Sequence, residues 1–139
     1  MDISEEPKGG WQPLLEAARR AQARAYAPYS NYRVGAAILG NDGQIYTGCN
    51  VENASYSLCI CAERNAIFAA VASGVHTLLA VAVYSDGPSA ATPCGACRQV
   101  ISEFATNCAI VCLSSSGARV QTSVCELLPH AFGPKTLGR

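Results

Sequence analysis

Three cysteines and one glutamate have the types and spacing to do chemistry together. Cys94 and Cys97 form a C-x-x-C pair after Pro93 where a helix is expected to open, and Cys61 stands two residues before Glu63 near the start of another. The i, i+3 spacing of Cys94 and Cys97 points both sulfurs the same way. Amide groups and the macrodipole at a helix start favour thiolate over thiol. Alone, the pair is ambiguous between a redox motif, a zinc site and two core cysteines. A third thiol changes this: three protein ligands at two helix starts leave the fourth tetrahedral position of zinc open, the mark of a catalytic site.

The remaining composition narrows the partners. The chain has 139 residues, half of them hydrophobic, with ten basic and ten acidic residues. That length buries about two-thirds of the unfolded surface, enough for one core without staples. No block of like charge occurs, which argues against nucleic acid as partner, since such proteins carry a basic face. No run approaches the roughly 20 apolar residues of a membrane span. The opening MDISEEPKGG is acidic and polar, the wrong chemistry for a signal peptide. A cytoplasmic address is therefore expected, where thiols stay reduced and eight cysteines are ligands, reactive groups or small apolar residues before they are disulfides.

Elements that position the cysteines can be read from periodicity. Trp11–Ala25 has helical spacing, with Leu14, Leu15, Ala18 and Ala25 on one side and Arg19, Arg20 and Arg24 on the other. Strands are expected over Arg33–Leu39 and Gln44–Cys49, joined by the turn Asn41-Asp42-Gly43. A helix over Ile60–Ser73 stops at Gly74, and the apolar run Thr77–Ser85 suits a strand covered on both faces. A helix over Cys94–Ala105, strands over Ala109–Leu113 and Arg119–Thr122, and a short helix at Ser123-x-x-Glu126 complete the order. The sum is α-β-β-α-β-α-β-β-α, one three-layer α/β domain over residues 1–139, with 1–10 expected as a flexible N-terminal segment.

The pattern Cys-x-Glu followed by Pro-Cys-x-x-Cys is that of the zinc deaminases, in which the glutamate stays off the metal. The sequence resembles the small homotetrameric cytidine deaminases over most of its length. The matching stretches are 27–37 (APYSNYRVGAA), 47–56 (TGCNVENASY), 61–67 (CAERNAI), 93–99 (PCGACRQ) and 128–134 (LPHAFGP), in that order. The resemblance implies a five-stranded mixed sheet with helices on both faces. It also implies one zinc per chain on Cys61, Cys94 and Cys97, with Glu63 shuttling protons. The implied reaction is hydrolysis of cytidine and deoxycytidine to uridine and deoxyuridine with release of ammonia, in pyrimidine salvage. Three thiolates leave zinc with a net charge of minus one, which weakens its acidification of water. Arg64 matches the arginine that hydrogen-bonds the ligand thiolates and offsets this.

Substrate contacts follow by the same resemblance. Asn50 and Glu52 match a pair that binds the ribose, chiefly its 3′-hydroxyl, and Ala54 offers backbone groups to the pyrimidine edge. Tyr32 stands where many relatives carry Phe against the pyrimidine, and Phe132 matches a residue that reaches into a neighbouring subunit's site. Tyr29 and Tyr56 match further aromatic positions, where plain packing is an equal alternative. Cys49, Cys108, Cys112 and Cys125 are expected as buried thiols, and Cys59 departs from the pattern beside Cys61.

Other functions stand beside this one. The blasticidin S deaminases share the zinc motifs but lack the ribose-binding glutamate, so Glu52 favours a nucleoside. Polynucleotide deamination is disfavoured by the zero net charge. A dead zinc-binding module would not need Glu63 or an open ligand position.

Overall fold

The computed structural model describes residues 6–105 and 107–139. Its elements are α1 (Gln12–Gln22), β1 (Val34–Gly40), β2 (Ile45–Cys49), α2 (Ala62–Ala72), β3 (Leu78–Ser85), α3 (Gly95–Phe104), β4 (Ala109–Ser114), β5 (Arg119–Ser123) and α4 (Val124–Leu127). The strands form one sheet in the order β2-β1-β3-β4-β5. β3 and β4 run parallel, joined by the α3 crossover, and the other neighbouring pairs are antiparallel. This is the mixed five-stranded α/β sheet expected from the sequence.

Alternation along the central strands explains the layers. Ala36, Ile38, Val81, Val83, Ile110 and Cys112 point to the face covered by α2 and α3, where they meet Ala62, Ala66, Ile67 and Ile101. Ala37, Ala80, Ala82, Ala109 and Val111 point to the opposite face, under Trp11, Leu14, Leu15 and Ala18 of the α1 region. Both faces are buried, so β3 reads as a continuous apolar run. Emptying a buried position such as Ile67 or Ile101 to Ala costs about 2–5 kcal/mol.

Two glycines set how close the helices come. A Cβ on Gly35 would collide with the main chain of Ala18 and Gln22, so α1 lies directly on β1. A Cβ on Gly48 would collide with the main chain of Ala62 and Ala66, so the first turns of α2 rest on β2. Gly48 thereby fixes the depth of the helix that follows Cys61.

Several expected boundaries move. The helix expected from Ile60 begins at Ala62, because Ile60 instead pairs with Val51 in an isolated bridge closed by two main-chain hydrogen bonds of 3.0 Å. The first helix ends at Gln22 rather than Ala25, with Tyr26 drawn off to bridge Val51. Ser123 caps α4 by accepting from the Glu126 N–H at 3.2 Å, but the Glu126 carboxylate turns to accept from the Thr122 hydroxyl at 2.8 Å. Residues 1–5 of the expected N-terminal segment lie outside the described residues.

Candidate metal and catalytic site

α2 and α3 begin at the same end of the sheet. Cys61 and Cys94 are their N-cap residues, both with extended backbone (φ −70°, ψ 155° and φ −66°, ψ 169°) that turns the side chain across the helix start. Cys97 follows one turn into α3 and is fully buried. The sulfurs of Cys61, Cys94 and Cys97 all lie within 4.8 Å of one another, and Cys61 Sγ and Cys94 Sγ are 3.8 Å apart. Zinc–sulfur bonds of about 2.3 Å at tetrahedral angles put neighbouring sulfurs about 3.8 Å apart, so the three cysteines fit zinc. Among the described residues this is the group of cysteine, histidine or acidic side chains that converges to hold a metal.

The electrostatics single out one thiolate. The Arg64 Nη2 donates to Cys61 Sγ at 3.4 Å. The Cys61 thiol is held well below the ordinary thiol range, first by the hydrogen bond with Cys97 and then by Arg64 and Cys94. The Cys97 thiol is pushed up, first by its hydrogen bond with Cys61 and then by burial. Arg64 is held charged by Cys61.

Glu63 lies in the first turn of α2 with 5% of its surface exposed. Burial raises the pKa of its carboxyl, against the opposing hydrogen bond from its own backbone N–H, and the Cys61 charge adds to the rise. A buried acid whose pKa is raised, within electrostatic reach of Cys61 and Cys97, is a candidate proton carrier.

The loop before α3 is braced by a residue to which the sequence reading gave no role. Arg98 donates to the Pro93 carbonyl at 2.7 Å, to the Leu127 carbonyl at 3.0 Å and to Thr92 Oγ1 at 3.3 Å. Its guanidinium thus ties the Pro93-Cys94 turn to α4. Asn65 does the same for α2, donating from Nδ2 to the Cys49 carbonyl at 2.8 Å. Apart from the Thr92 hydroxyl, the partners are main-chain carbonyls, which leave no signature in the sequence.

The segment after β2, joined by the Val51–Ile60 bridge to the residue before Cys61, carries a polar loop system. Asn50 accepts from the Val34 N–H at 2.9 Å and donates to the Tyr32 carbonyl at 2.9 Å, joining the end of β2 to the start of β1. One N–H of its amide remains for a ligand. Glu52 Oε1 accepts from the main-chain N–H groups of Tyr29 at 3.0 Å and Ser30 at 3.1 Å, and Oε2 accepts from the Ser30 hydroxyl. Tyr29, Ser30, Glu52, Tyr56 and Cys59 line a cleft of about 270 Å³. Ala54 is exposed on the turn closed by the Ser55 N–H to Asn53 Oδ1 bond of 2.8 Å. The Tyr32 ring stands beside Gly87 in the loop after β3. Phe132 is 58% exposed and lines a separate surface cavity with Gln99, whose amide donates to the Phe132 carbonyl at 2.9 Å.

The remaining cysteines divide differently from expectation. Cys108 and Cys112 are buried, but Cys49 is only half-buried and Cys125 is exposed on the short α4. Cys59 lies outside α2, three residues before its first residue. Its sulfur accepts from the Asn53 N–H at 3.3 Å and approaches the Asn53 carbonyl at 3.6 Å, closing the 53–59 loop.

Residues 11–113 match the model of the cytidine and deoxycytidylate deaminase zinc-binding region. The chain belongs to the cytidine and deoxycytidylate deaminase family. A cytidine deaminase of Sporosarcina psychrophila is 46% identical over 127 residues, covering 91% of this chain and 93% of that one. One from Mycobacterium tuberculosis is 41% identical over 133 residues, covering 96% and 97%. The crystal structure of a cytidine deaminase from Burkholderia pseudomallei superposes with a TM-score of 0.84 at 48% identity, covering 87% of this chain and 98% of that one. Family membership makes the three-cysteine cluster a zinc site and the protein an enzyme.

Proposed function

We propose that the protein hydrolyses cytidine and deoxycytidine to uridine and deoxyuridine, releasing ammonia. The observation that carries this is the convergence of Cys61, Cys94 and Cys97 at two helix starts with the buried carboxyl of Glu63 beside them. Cys61, Cys94 and Cys97 would hold the zinc, which would supply the Lewis acidity that makes water nucleophilic near neutral pH. Glu63 takes a proton from the attacking water and gives it to ring N3 as the C4–O bond forms. It then carries the remaining hydroxyl proton to the exocyclic nitrogen, the C4–N bond breaks, and ammonia leaves with the electron pair. The carbonyl of the uracil ring forms as it goes. Arg64, donating to Cys61, draws negative charge from the thiolates. Arg98 fixes the turn that carries Cys94.

The sugar end is assigned to Asn50 and Glu52, a carboxylate that accepts from a hydroxyl and an amide that donates. Tyr32 flanks the pyrimidine and Ala54 meets its edge through the main chain. The assembly is a homotetramer with sites shared between subunits, Phe132 reaching into a neighbour. It is supported by the exposure of Tyr56 (71%), Leu58 (61%) and Phe132 (58%), apolar surface beyond what a lone chain needs. The one domain is assigned to residues 1–139, in pyrimidine salvage in the cytoplasm; no helix among the described residues is long and apolar enough to cross a membrane.

Ammonia release from cytidine, deoxycytidine, blasticidin S and a cytosine-containing oligonucleotide tests this. Turnover of the two nucleosides is expected; turnover of blasticidin S or the oligonucleotide in their place contradicts it.

A further inference from the structure

Of all the hydroxyl groups near the site, that of Ser30 joins the most parts. We propose that Ser30 is a positioning residue that orients Glu52 so that one carboxylate lone pair faces the cleft and accepts a single sugar hydroxyl. This rests on the assignment of Glu52 to the sugar. Glu52 is anchored at its main chain by the N–H to Tyr26 carbonyl bond of 2.9 Å. Its side chain is held by the Tyr29 and Ser30 N–H groups on Oε1 and the Ser30 hydroxyl on Oε2. A carboxylate offers about four acceptor positions. The loop takes three, and the one that remains is on the oxygen bound by Ser30. The same contacts, the Ser30 hydroxyl foremost, lower the pKa of the carboxyl and keep it ionised.

The Ser30 hydroxyl also reaches the other side of the site. Its oxygen accepts from the Tyr32 N–H at 3.0 Å while its proton goes to Glu52. Asn31 makes this possible by adopting φ 55°, a left-handed conformation that Asn tolerates, which folds Tyr32 back over Ser30. The Tyr32 carbonyl then accepts from Asn50 at 2.9 Å. Ser30 thus links Glu52, Tyr32 and Asn50 into one hydrogen-bonded unit. Without its oxygen, Oε2 turns free and the Tyr32 N–H loses its acceptor.

The test is steady-state kinetics with cytidine and 3′-deoxycytidine on the zinc-loaded wild type, Ser30→Ala, Ser30→Thr and Glu52→Ala, with zinc content measured for each. Ser30→Ala is expected to raise KM for cytidine by about tenfold, the weight of one hydrogen bond to a charged group. Its kcat should stay within about twofold and its zinc at one per chain, as expected for lost binding that is equal in ground and transition states. For 3′-deoxycytidine its KM should rise clearly less than for cytidine, by no more than the loosened Tyr32 costs, and Ser30→Thr should restore cytidine. If Glu52→Ala abolishes the preference for the 3′-hydroxyl but Ser30→Ala does not weaken it, the proposal for Ser30 is overturned while Glu52 keeps its role. Equal losses on both substrates in Ser30→Ala overturn it too, since that is general loop damage. A preference that survives Glu52→Ala removes the assignment of Glu52 and the proposal with it.

Discussion

The cysteines at the helix starts and those in the sheet are the same residue under opposite physics. Cys61 has a guanidinium 3.4 Å from its sulfur and a neighbouring thiol that donates to it, so it ionises readily. Cys108 and Cys112 lie in the apolar interior around β4, where burial pushes each thiol up to about 12. Thiolate is the form that binds metal. What separates Cys61 from the sheet thiols is therefore its place at a helix start beside a cation, more than the number of cysteines nearby. Cys59 sharpens this: it is two residues from Cys61, yet its sulfur is spent on the Asn53 main chain.

The contrast can be broken most severely at Cys61. Cys61→Ser is expected to lose bound zinc and all turnover, whereas Cys59→Ser keeps one zinc per chain; metal analysis of the purified variants decides. A Cys59→Ser protein without zinc would erase the distinction. Next in size is Glu63→Gln, which keeps zinc but loses about 100- to 10,000-fold in kcat, the usual weight of a general acid–base group. Arg64→Gln tests whether the cation matters at the ligand end. Loss of about 10- to 100-fold in zinc affinity or turnover is expected, as for other groups that hydrogen-bond metal ligands.

The smallest effect belongs to the sheet cysteines. Their folded pKa of about 12 stands above the value of about 8.5 in an unfolded chain. Their contribution to stability is therefore whole below about pH 8.5 and declines as the pH rises from there towards about 12, because the unfolded chain loses those protons first. Urea midpoints at pH 7 and pH 10.5 should show the decline, and Cys112→Ala should reduce it. Thiol reagents at pH 8 should modify Cys125 and spare Cys108 and Cys112 in the native protein.

Much of this was legible in the sequence because the deciding residues are local. Cys61-x-Glu63 and Pro93-Cys94-x-x-Cys97 each span a single helix start, and the continuous apolar run Thr77–Ser85 announces a strand buried on both faces. The start of α2 was misplaced by two residues because Ile60 looks helical by spacing, while its bridge to Val51 is a long-range pairing. Arg98 and Asn65 carried no visible role for the same reason: their partners include Leu127 and Cys49, far along the chain, met through carbonyl groups that any residue offers. Ser30 and Glu52 are 22 residues apart, and nothing in either neighbourhood announces the other.

The most direct measurement is cytidine turnover by Glu63→Gln beside the wild type, with zinc counted in both. One zinc per chain in each protein, with rapid ammonia release from the wild type and almost none from the variant, is the predicted result. Wild-type rates in the zinc-loaded variant would contradict the account at its centre.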